Sequence, residues 1–175
     1  WSDRLKSVAR AEWYASLLVP PVGDAAEPRL AGRAKGAAVQ WGAVELTGGA
    51  TSFLKTATDR TRPDGRDDRS LPSAHASDAM AHGALAWRNL DTAALPPTVL
   101  YPARGAIVAT VAGTAWGRVE AARHHPADVL VSIGLANLLT RFANEAFLVD
   151  GEGARLDAGI DPATGAWSLG VTFSW

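Results

Sequence analysis

Cysteine is absent from the 175-residue sequence. Its absence excludes disulfide bonds, thiolate metal centres and cysteine nucleophiles, so any catalysis must come from other side chains. It does not decide the compartment, because periplasmic and cytosolic proteins can both lack cysteine.

A strong excess of one charge sign is also missing. The net charge is −1 and the pI is near 6.5, so the chain has no overall positive field that would attract nucleic acid or an anionic membrane. Affinity for anions must therefore come from a few basic side chains that the fold brings together. A hydrophobic content of 47% suits one globular domain over residues 1–175.

Long apolar runs are missing as well. The stretch 105–117 is uncharged, but a membrane-spanning helix needs about 18–20 apolar residues in a row. We expect no transmembrane segment, and contact with a membrane surface stays open. The first residues, WSDR, are charged and do not resemble a secretory signal, so any targeting segment is expected to have been removed.

Apolar residues recur at helical spacing through most of the chain. The pattern predicts helices over 2–18, 33–58, 72–88, 103–122 and 126–147. Pro20-Pro21 should end the first, Gly48-Gly49 should weaken or divide the second, and 91–102 reads as a proline-rich loop. The predicted apolar face of the last helix consists of Val129, Leu130, Ile133, Leu138 and Phe142.

The C-terminal residues follow a different period. Apolar and polar residues alternate on both sides of the turn-like segment 161–165, which predicts a β-hairpin over about 154–175. The apolar side chains on one face of this hairpin form an apolar stripe that must be buried against something. Packing on the helical core or in a dimer interface is favoured over a membrane-facing edge. The fold class is therefore all-α, with a helical core over about 1–150 and a short hairpin.

The first candidate motif is Lys55 with Arg62-Pro63. Arginine offers a planar fork that matches two phosphate oxygens, and lysine adds a compact positive charge. By itself this pair is weak evidence for a phosphate site, because basic residues at a helix end are usually solvated or donate hydrogen bonds to the last carbonyls of the helix.

The second motif is Pro72-Ser73-Ala74-His75, at a predicted helix start. The first N–H groups of a helix lack internal partners and carry partial positive charge, so those of Ser73 and Ala74, with the Ser73 hydroxyl, could cradle an anion. His75 would then be placed to protonate a leaving oxygen. The simpler interpretation is a serine N-cap beside a surface histidine.

The third motif contains Arg118, His124 and Asp128. If Pro126 is the first helical residue, Asp128 lies in the first turn and could accept a hydrogen bond from one ring nitrogen of His124. The other nitrogen would be free to attack phosphorus. The alternative is an aspartate that stabilises its own helix terminus, next to solvated histidines.

Together the motifs read K-x6-RP, PS-x-H and R-x5-H-x3-D over residues 55–128. This signature resembles that of the type-2 phosphatidic acid phosphatase superfamily, which includes bacterial class A acid phosphatases, lipid phosphate phosphatases and vanadium-dependent haloperoxidases. The resemblance implies a compact multi-helix core, His124 as nucleophile, His75 as general acid and Asp128 as the residue that orients His124. It implies that phosphoryl oxygens are held by Lys55, Arg62, Ser73, Ala74 and Arg118.

Two positions depart from the family pattern. The second motif usually has glycine where this chain has Ala74, which keeps the backbone N–H but would be strained at positive φ. The third usually begins Ser-Arg and here reads Gly117-Arg118, which removes a hydroxyl but no charge.

The expected function is metal-independent hydrolysis of a phosphomonoester or pyrophosphate, of a lipid or a small soluble molecule, through phosphohistidine. The resemblance implies no cofactor and an extracytoplasmic, periplasmic setting, and the oligomeric state stays open. One alternative is a haloperoxidase, in which the same residues would hold vanadate. Another is a non-catalytic phosphate- or lipid-binding protein.

Other polar and aromatic residues receive plainer interpretations. His125 is expected to cap a helix or be solvated, and His82 to be packed or solvated without a nearby carboxylate. The aspartates at 64, 67 and 68 should lie in a solvated loop rather than a metal site. Four tryptophans at helical positions are expected in the core: Trp13, Trp41, Trp87 and Trp116.

Overall fold

The computed structural model describes residues 1–19, 29–148, 153–160 and 167–174. The predicted, mostly helical fold is confirmed. Within these ranges the helices are α1 Ser2–Leu18, α2 Arg29–Thr58, α3 Ala74–Asp91, α4 Pro97–Glu120 and α5 Pro126–Leu148.

Two strands, β1 Gly153–Ile160 and β2 Trp167–Ser174, pair antiparallel, with Leu156 opposite Val171. The side chains of both strands, the predicted turn at 161–165 and the predicted stop at Pro20-Pro21 lie outside the described residues. What covers the apolar stripe therefore stays a prediction.

α3 is the central helix, because it contacts each of the other four. Its buried face is made of small residues, including Ala76, Ala79 and Ala81, which let the neighbouring helices approach closely. At Gly83 the approach of α4 is so close that an added Cβ would lie 2.9 Å from a methyl group of Val111. The start of α3, with Ser73 and His75, is thereby fixed between the other helices.

The main hydrophobic core is anchored by Trp13, which is 2% exposed. Its indole N–H donates to Gln40 Oε1 at 2.8 Å, and Gln40 Nε2 donates to Asn89 Oδ1 at 2.6 Å. The polar end of the buried ring is therefore satisfied, as burial requires. The buried residues packed together here are Trp13, Leu85, Ala86, Leu90 and Ile107.

Several helix boundaries differ from the sequence prediction. α3 begins at Ala74 and ends at Asp91, instead of spanning 72–88. α2 begins at Arg29 and continues unbroken through Gly48-Gly49. α4 begins at Pro97 rather than near 103, so the predicted loop is shorter. Proline is well tolerated at the first helical position, which explains Pro97. Pro102 lies inside α4, where it lacks the N–H for one helix hydrogen bond.

The predicted apolar face of α5 is largely wrong. Leu130, Leu138 and Phe142 are 67%, 63% and 58% exposed. The buried side instead carries small and polar residues, whose hydroxyls and amides bond within the helix, as Thr140 Oγ1 does to Ala136 O. These residues are Asp128, Val129, Ser132, Ala136, Thr140, Ala143 and Asn144.

The prediction for the tryptophans holds for Trp13 but fails for Trp41 and Trp116, which are 54% and 66% exposed. Both lie on outward helix faces, since the inner faces carry smaller residues. Despite these exposed apolar side chains, none of the described helices is long and apolar enough to cross a membrane.

Candidate active site

His124 is positioned by the way in which α4 ends. Ala122 adopts φ +52°, and the N–H groups of Arg123 and His124 both bond to Arg118 O, at 3.1 and 3.2 Å. With Ala122 N–H bonded to Val119 O, this is a Schellman motif, which usually has glycine at the left-handed position. The turn buries His124, which is 2% exposed.

The hydrogen bonding of His124 selects one tautomer. Nδ1 lies 2.6 Å from Ser70 O, and a carbonyl can only accept, so Nδ1 carries the proton. No described residue bonds to Nε2, whose lone pair is therefore available. The pKa of His124 is lowered to about 4, mainly by burial; the Ser70 hydrogen bond opposes this shift, and the positive charges of Lys55, Arg118 and Arg62 add to it. The ring is neutral at pH 7, as a nucleophile requires.

Asp128 does not hydrogen-bond His124, so that prediction is wrong. Its Oδ2 accepts from Ser70 Oγ at 2.5 Å and from the N–H of His125 at 2.9 Å. Its Oδ1 lies 3.0 Å from Arg60 Nη1. Because Asp128 is in the first turn of α5, its carboxylate is drawn to the unpaired N–H at that helix start. Asp128 therefore acts on His124 indirectly, through Ser70 and through the backbone of His125.

Lys55 lies in the last turn of α2 and donates from Nζ to Arg69 O at 2.8 Å. The pKa of Lys55 is lowered to about 8, mainly by burial and also by the charges of Arg62 and Arg69, against smaller opposing effects of Asp67 and Asp128. No carboxylate in the described part of the chain forms an ion pair with Lys55. An ammonium group that is held among cations in this way would gain from a bound anion.

Arg62 follows α2 in a loop that closes on itself. Its backbone N–H donates to Asp67 O at 3.0 Å, and its Nε donates to Asp67 Oδ1 at 2.6 Å. Its Nη1 reaches Arg123 O at 3.4 Å, beside His124. Asp67 therefore orients the arginine, and the acidic loop that was expected to be merely solvated has a positioning role.

Arg118 lies in the last turn of α4 and is only weakly partnered. Its Nη1 is 3.5 Å from Ser2 Oγ, and its buried Nε has no hydrogen-bond partner among the described residues. Burial lowers the pKa of Arg118, Asp3 raises it, and Arg62 lowers it again. A half-buried guanidinium with unused donors is well suited to bind an anion.

Ser73 caps α3 by accepting from the N–H of Ala76 at 3.5 Å, which agrees with the simpler of the two interpretations of this motif. Its own N–H does not cradle an anion, because it donates to Ser132 Oγ at 2.6 Å. The N–H groups of Ala74 and His75 in the first turn have no partner in the described ranges. They are the donors that this helix start can offer.

Ala74 is not strained. It starts α3 with a negative φ, and the non-glycine residues with positive φ in the described ranges are Asp59 and Ala122. The glycine expected here by family resemblance is therefore not required by the backbone. At Gly117 an added Cβ would lie 2.7 Å from the ring of Trp1, so a serine there would require that exposed ring to shift.

His75 pairs through Nε2 with the carboxylate of Asp3, at the start of α1. Burial lowers the pKa of His75, the Asp3 hydrogen bond raises it, and the charges of Arg118 and Lys6 lower it. In return His75 lowers the pKa of Asp3. The pairing favours a protonated His75, although burial opposes it.

The structure gathers most of the predicted site residues. Lys55, Arg62 and Arg118 act electrostatically on His124, and Arg118 acts on His75 as well. Sequence reasoning missed four residues that hold this cluster: Asp3, Arg60, Ser70 and Ser132. Arg60 and Ser70 stand within the motif region, where basic and hydroxyl residues were a signal, whereas Asp3 lies 72 positions from its partner.

The side chains of the two remaining histidines make other contacts. His125 Nε2 is 3.3 Å from Thr61 O. His82 is buried against Trp13 and bonds through Nδ1 to Asp78 O at 2.7 Å, with the Asp78 carboxylate 3.8 Å away. The expectation that no carboxylate is near His82 was therefore wrong. Among the described residues no three histidine or carboxylate groups are arranged to hold a metal ion.

Comparison with known proteins adds no further constraint on this site. No family model matches the chain, and neither curated proteins nor solved structures gave a significant match.

Proposed function

We propose that the protein is a phosphatase that hydrolyses a phosphomonoester or pyrophosphate through a phosphohistidine at His124, without a metal ion. One observation carries the proposal: a buried, neutral histidine with an unoccupied Nε2 is influenced by three basic side chains from three separate segments. This combination supplies a nucleophile together with charges for the phosphoryl oxygens. The resemblance of the three motifs to the phosphatidic acid phosphatase superfamily supports the same reaction.

In the first step Lys55, Arg62 and Arg118 bind the phosphoryl oxygens, and the free N–H groups at the start of α3 assist. His124 Nε2 attacks phosphorus and forms the P–N bond while the P–O ester bond breaks. His75, protonated with the help of Asp3, gives its proton to the leaving oxygen. The cations stabilise negative charge on the equatorial oxygens throughout.

In the second step water replaces the histidine. His75, now neutral, takes a proton from water as the oxygen attacks phosphorus, and the P–N bond breaks to release phosphate. The phosphorylated ring carries positive charge, which the Ser70 carbonyl stabilises through Nδ1–H. Asp128, bonded to the Ser70 hydroxyl, is a positioning residue in this scheme.

The test is phosphate release from p-nitrophenyl phosphate and from phosphatidic acid in micelles, in the presence of EDTA. His124→Ala should lower kcat by about 10³-fold or more, since nucleophile removal has effects of this size or larger. His125→Ala is the matched control, because this neighbouring ring contacts Thr61 O, and alanine keeps the backbone N–H that donates to Asp128. Full activity of His124→Ala, or loss of wild-type activity in EDTA, would overturn the proposal.

The proposal leaves two substrate classes, lipid phosphates and small soluble phosphates. The relative kcat/KM for the two esters in this assay separates them. By the same family resemblance the activity is proposed to operate outside the cytoplasm.

A further inference from the structure

A cavity of about 240 Å³ lies between α1, α2 and α3, beside the proposed general acid. It is smaller than sites for drug-sized ligands, which typically measure about 300–1,000 Å³. Ala74 and His75 form part of its wall, so it adjoins the start of α3. The polar residues in its wall include Lys6, Arg10, Thr51, His75, Ser77 and Asp78.

Two hydroxyl groups in this wall lack partners. Thr51 and Ser77 are each 2% exposed, and neither Oγ1 of Thr51 nor Oγ of Ser77 has a hydrogen-bond partner among the described residues. A buried helical hydroxyl usually bonds to the carbonyl one turn earlier, as Thr47 does to Ala43 O at 2.8 Å. An unsatisfied buried hydroxyl costs about 1–3 kcal/mol, which a polar ligand could recover.

Both hydroxyls lie one helical turn from the proposed phosphate site. Thr51 precedes Lys55 by four residues on α2, and Ser77 follows Ala74 by three residues at the start of α3. Residues three or four apart share a helix face, about 5–6 Å along the axis. The cavity shares Ala74 and His75 with the candidate site and therefore adjoins it at the start of α3, on the side of the proposed general acid.

The charges in the wall nearly cancel. Arg10 forms a two-bond pair with Asp78, at 2.8 and 3.1 Å, and Lys6 adds one further positive charge. The wall thus presents both donors and acceptors. A group with several hydroxyls can use both, whereas an acyl chain can use neither and would leave the buried hydroxyls unpaired.

We propose that this cavity is a leaving-group subsite for a small polyhydroxylated group, such as the sugar of a sugar phosphate, held by hydrogen bonds from Thr51 and Ser77. The inference rests on the proposed phosphatase function and narrows it to soluble esters. His75 stands between the subsite and the phosphate site, in a position to protonate the sugar oxygen as it leaves.

The experiment compares kcat/KM for glucose 6-phosphate with that for p-nitrophenyl phosphate. Wild type should prefer glucose 6-phosphate to phosphatidic acid. In Thr51→Val and in Ser77→Ala the ratio of glucose 6-phosphate to p-nitrophenyl phosphate should fall about five- to tenfold, the size expected for one lost hydrogen bond. Thr47→Val is the matched control, since Thr47 also lines the cavity but bonds within its own helix, so its ratio should not change.

The outcomes separate the two proposals. If wild type hydrolyses p-nitrophenyl phosphate but the ratio is the same in both variants, or if phosphatidic acid is preferred, the subsite is overturned and the phosphatase stands. If wild type hydrolyses none of the three esters, both are overturned. Thermal unfolding of each variant confirms that the fold is retained.

Discussion

The proposed reaction depends on the protonation states of two histidines. Burial and neighbouring cations lower the pKa of His124 to about 4, so its ring is neutral and nucleophilic at any higher pH. His75 must instead be protonated to act as an acid, and burial lowers its pKa from 6.5 although Asp3 opposes this. The two requirements overlap only at mildly acidic pH.

For an alkyl phosphate, whose leaving oxygen needs a proton, we therefore expect a bell-shaped profile of kcat/KM. The acid limb should lie near pH 4, where His124 becomes protonated, and the basic limb below pH 6.5, where His75 loses its proton. The measured profile is corrected for ionisation of the substrate phosphate, which titrates at about pH 6. An acid limb near 6.5 would contradict the assignment of His124.

The comparison substrate is p-nitrophenyl phosphate, whose leaving group, unlike that of an alkyl phosphate, departs without a proton. Its kcat/KM should stay high beyond pH 6.5 and fall near pH 8, where Lys55 loses its charge. In Lys55→Arg that limb should move to higher pH, because arginine stays charged.

At this scale the sequence predicts residue types better than contacts. Lys55, Arg62, Arg118 and His124 could be named from their chemistry and spacing. The bond from His124 to Ser70 O could not, because the two residues are 54 positions apart. The predicted bond from Asp128 to His124 failed because the Ser70 hydroxyl and a backbone N–H at the α5 start compete for the same carboxylate.

At the level of helices, the site is built from helix ends. α2 and α4 end at it, with Lys55 and Arg118 in their last turns, and α3 and α5 begin at it. The end of α4 is the most constrained, because Ala122 occupies a left-handed conformation that favours glycine. His124 follows only two residues later.

Ala122→Gly should therefore raise the free energy of unfolding by about 1 kcal/mol, since the left-handed conformation costs a residue with a Cβ about 1–2 kcal/mol. Ala121→Gly is the matched control, because Ala121 has φ −76° and gains nothing from glycine; it should lower stability by about 0.5–1 kcal/mol. Urea unfolding measures both. A destabilised Ala122→Gly would show that the turn is not strained as described.

The spacing of apolar residues predicted where helices form, but it did not predict which face of each helix is buried. α5 has enough apolar residues for several faces, and its large ones point outward because close packing against α2 and α3 admits only small side chains. The start of α4 was missed because Pro97 was read as a loop residue, although proline fits the first helical position.

At the level of the whole molecule, buried histidines link stability to pH. Burial lowers the pKa values of His75, His82 and His124 below 6.5, so below that pH the unfolded chain binds more protons than the folded one. Stability should consequently fall as pH drops from about 6.5 towards 4. For His124 alone the loss by pH 4 is roughly 2–3 kcal/mol.

The measurement is urea unfolding between pH 7 and pH 4.5 for wild type and His124→Gln. Glutamine keeps a donor for Ser70 O but cannot take up a proton, so the variant should lose less stability over this range. An equal loss in both proteins would mean that His124 is not held neutral by burial.

The most direct test of the central claim is isolation of the phosphoenzyme. In His75→Ala with ³²P-labelled p-nitrophenyl phosphate, the first step needs no acid, whereas the second loses its base, so the intermediate should accumulate. The account predicts an acid-labile, alkali-stable label on Nε2 of His124, located by peptide mass spectrometry after an alkaline quench. Label on another residue, or turnover in the wild type with no labelled histidine in either protein, would contradict it.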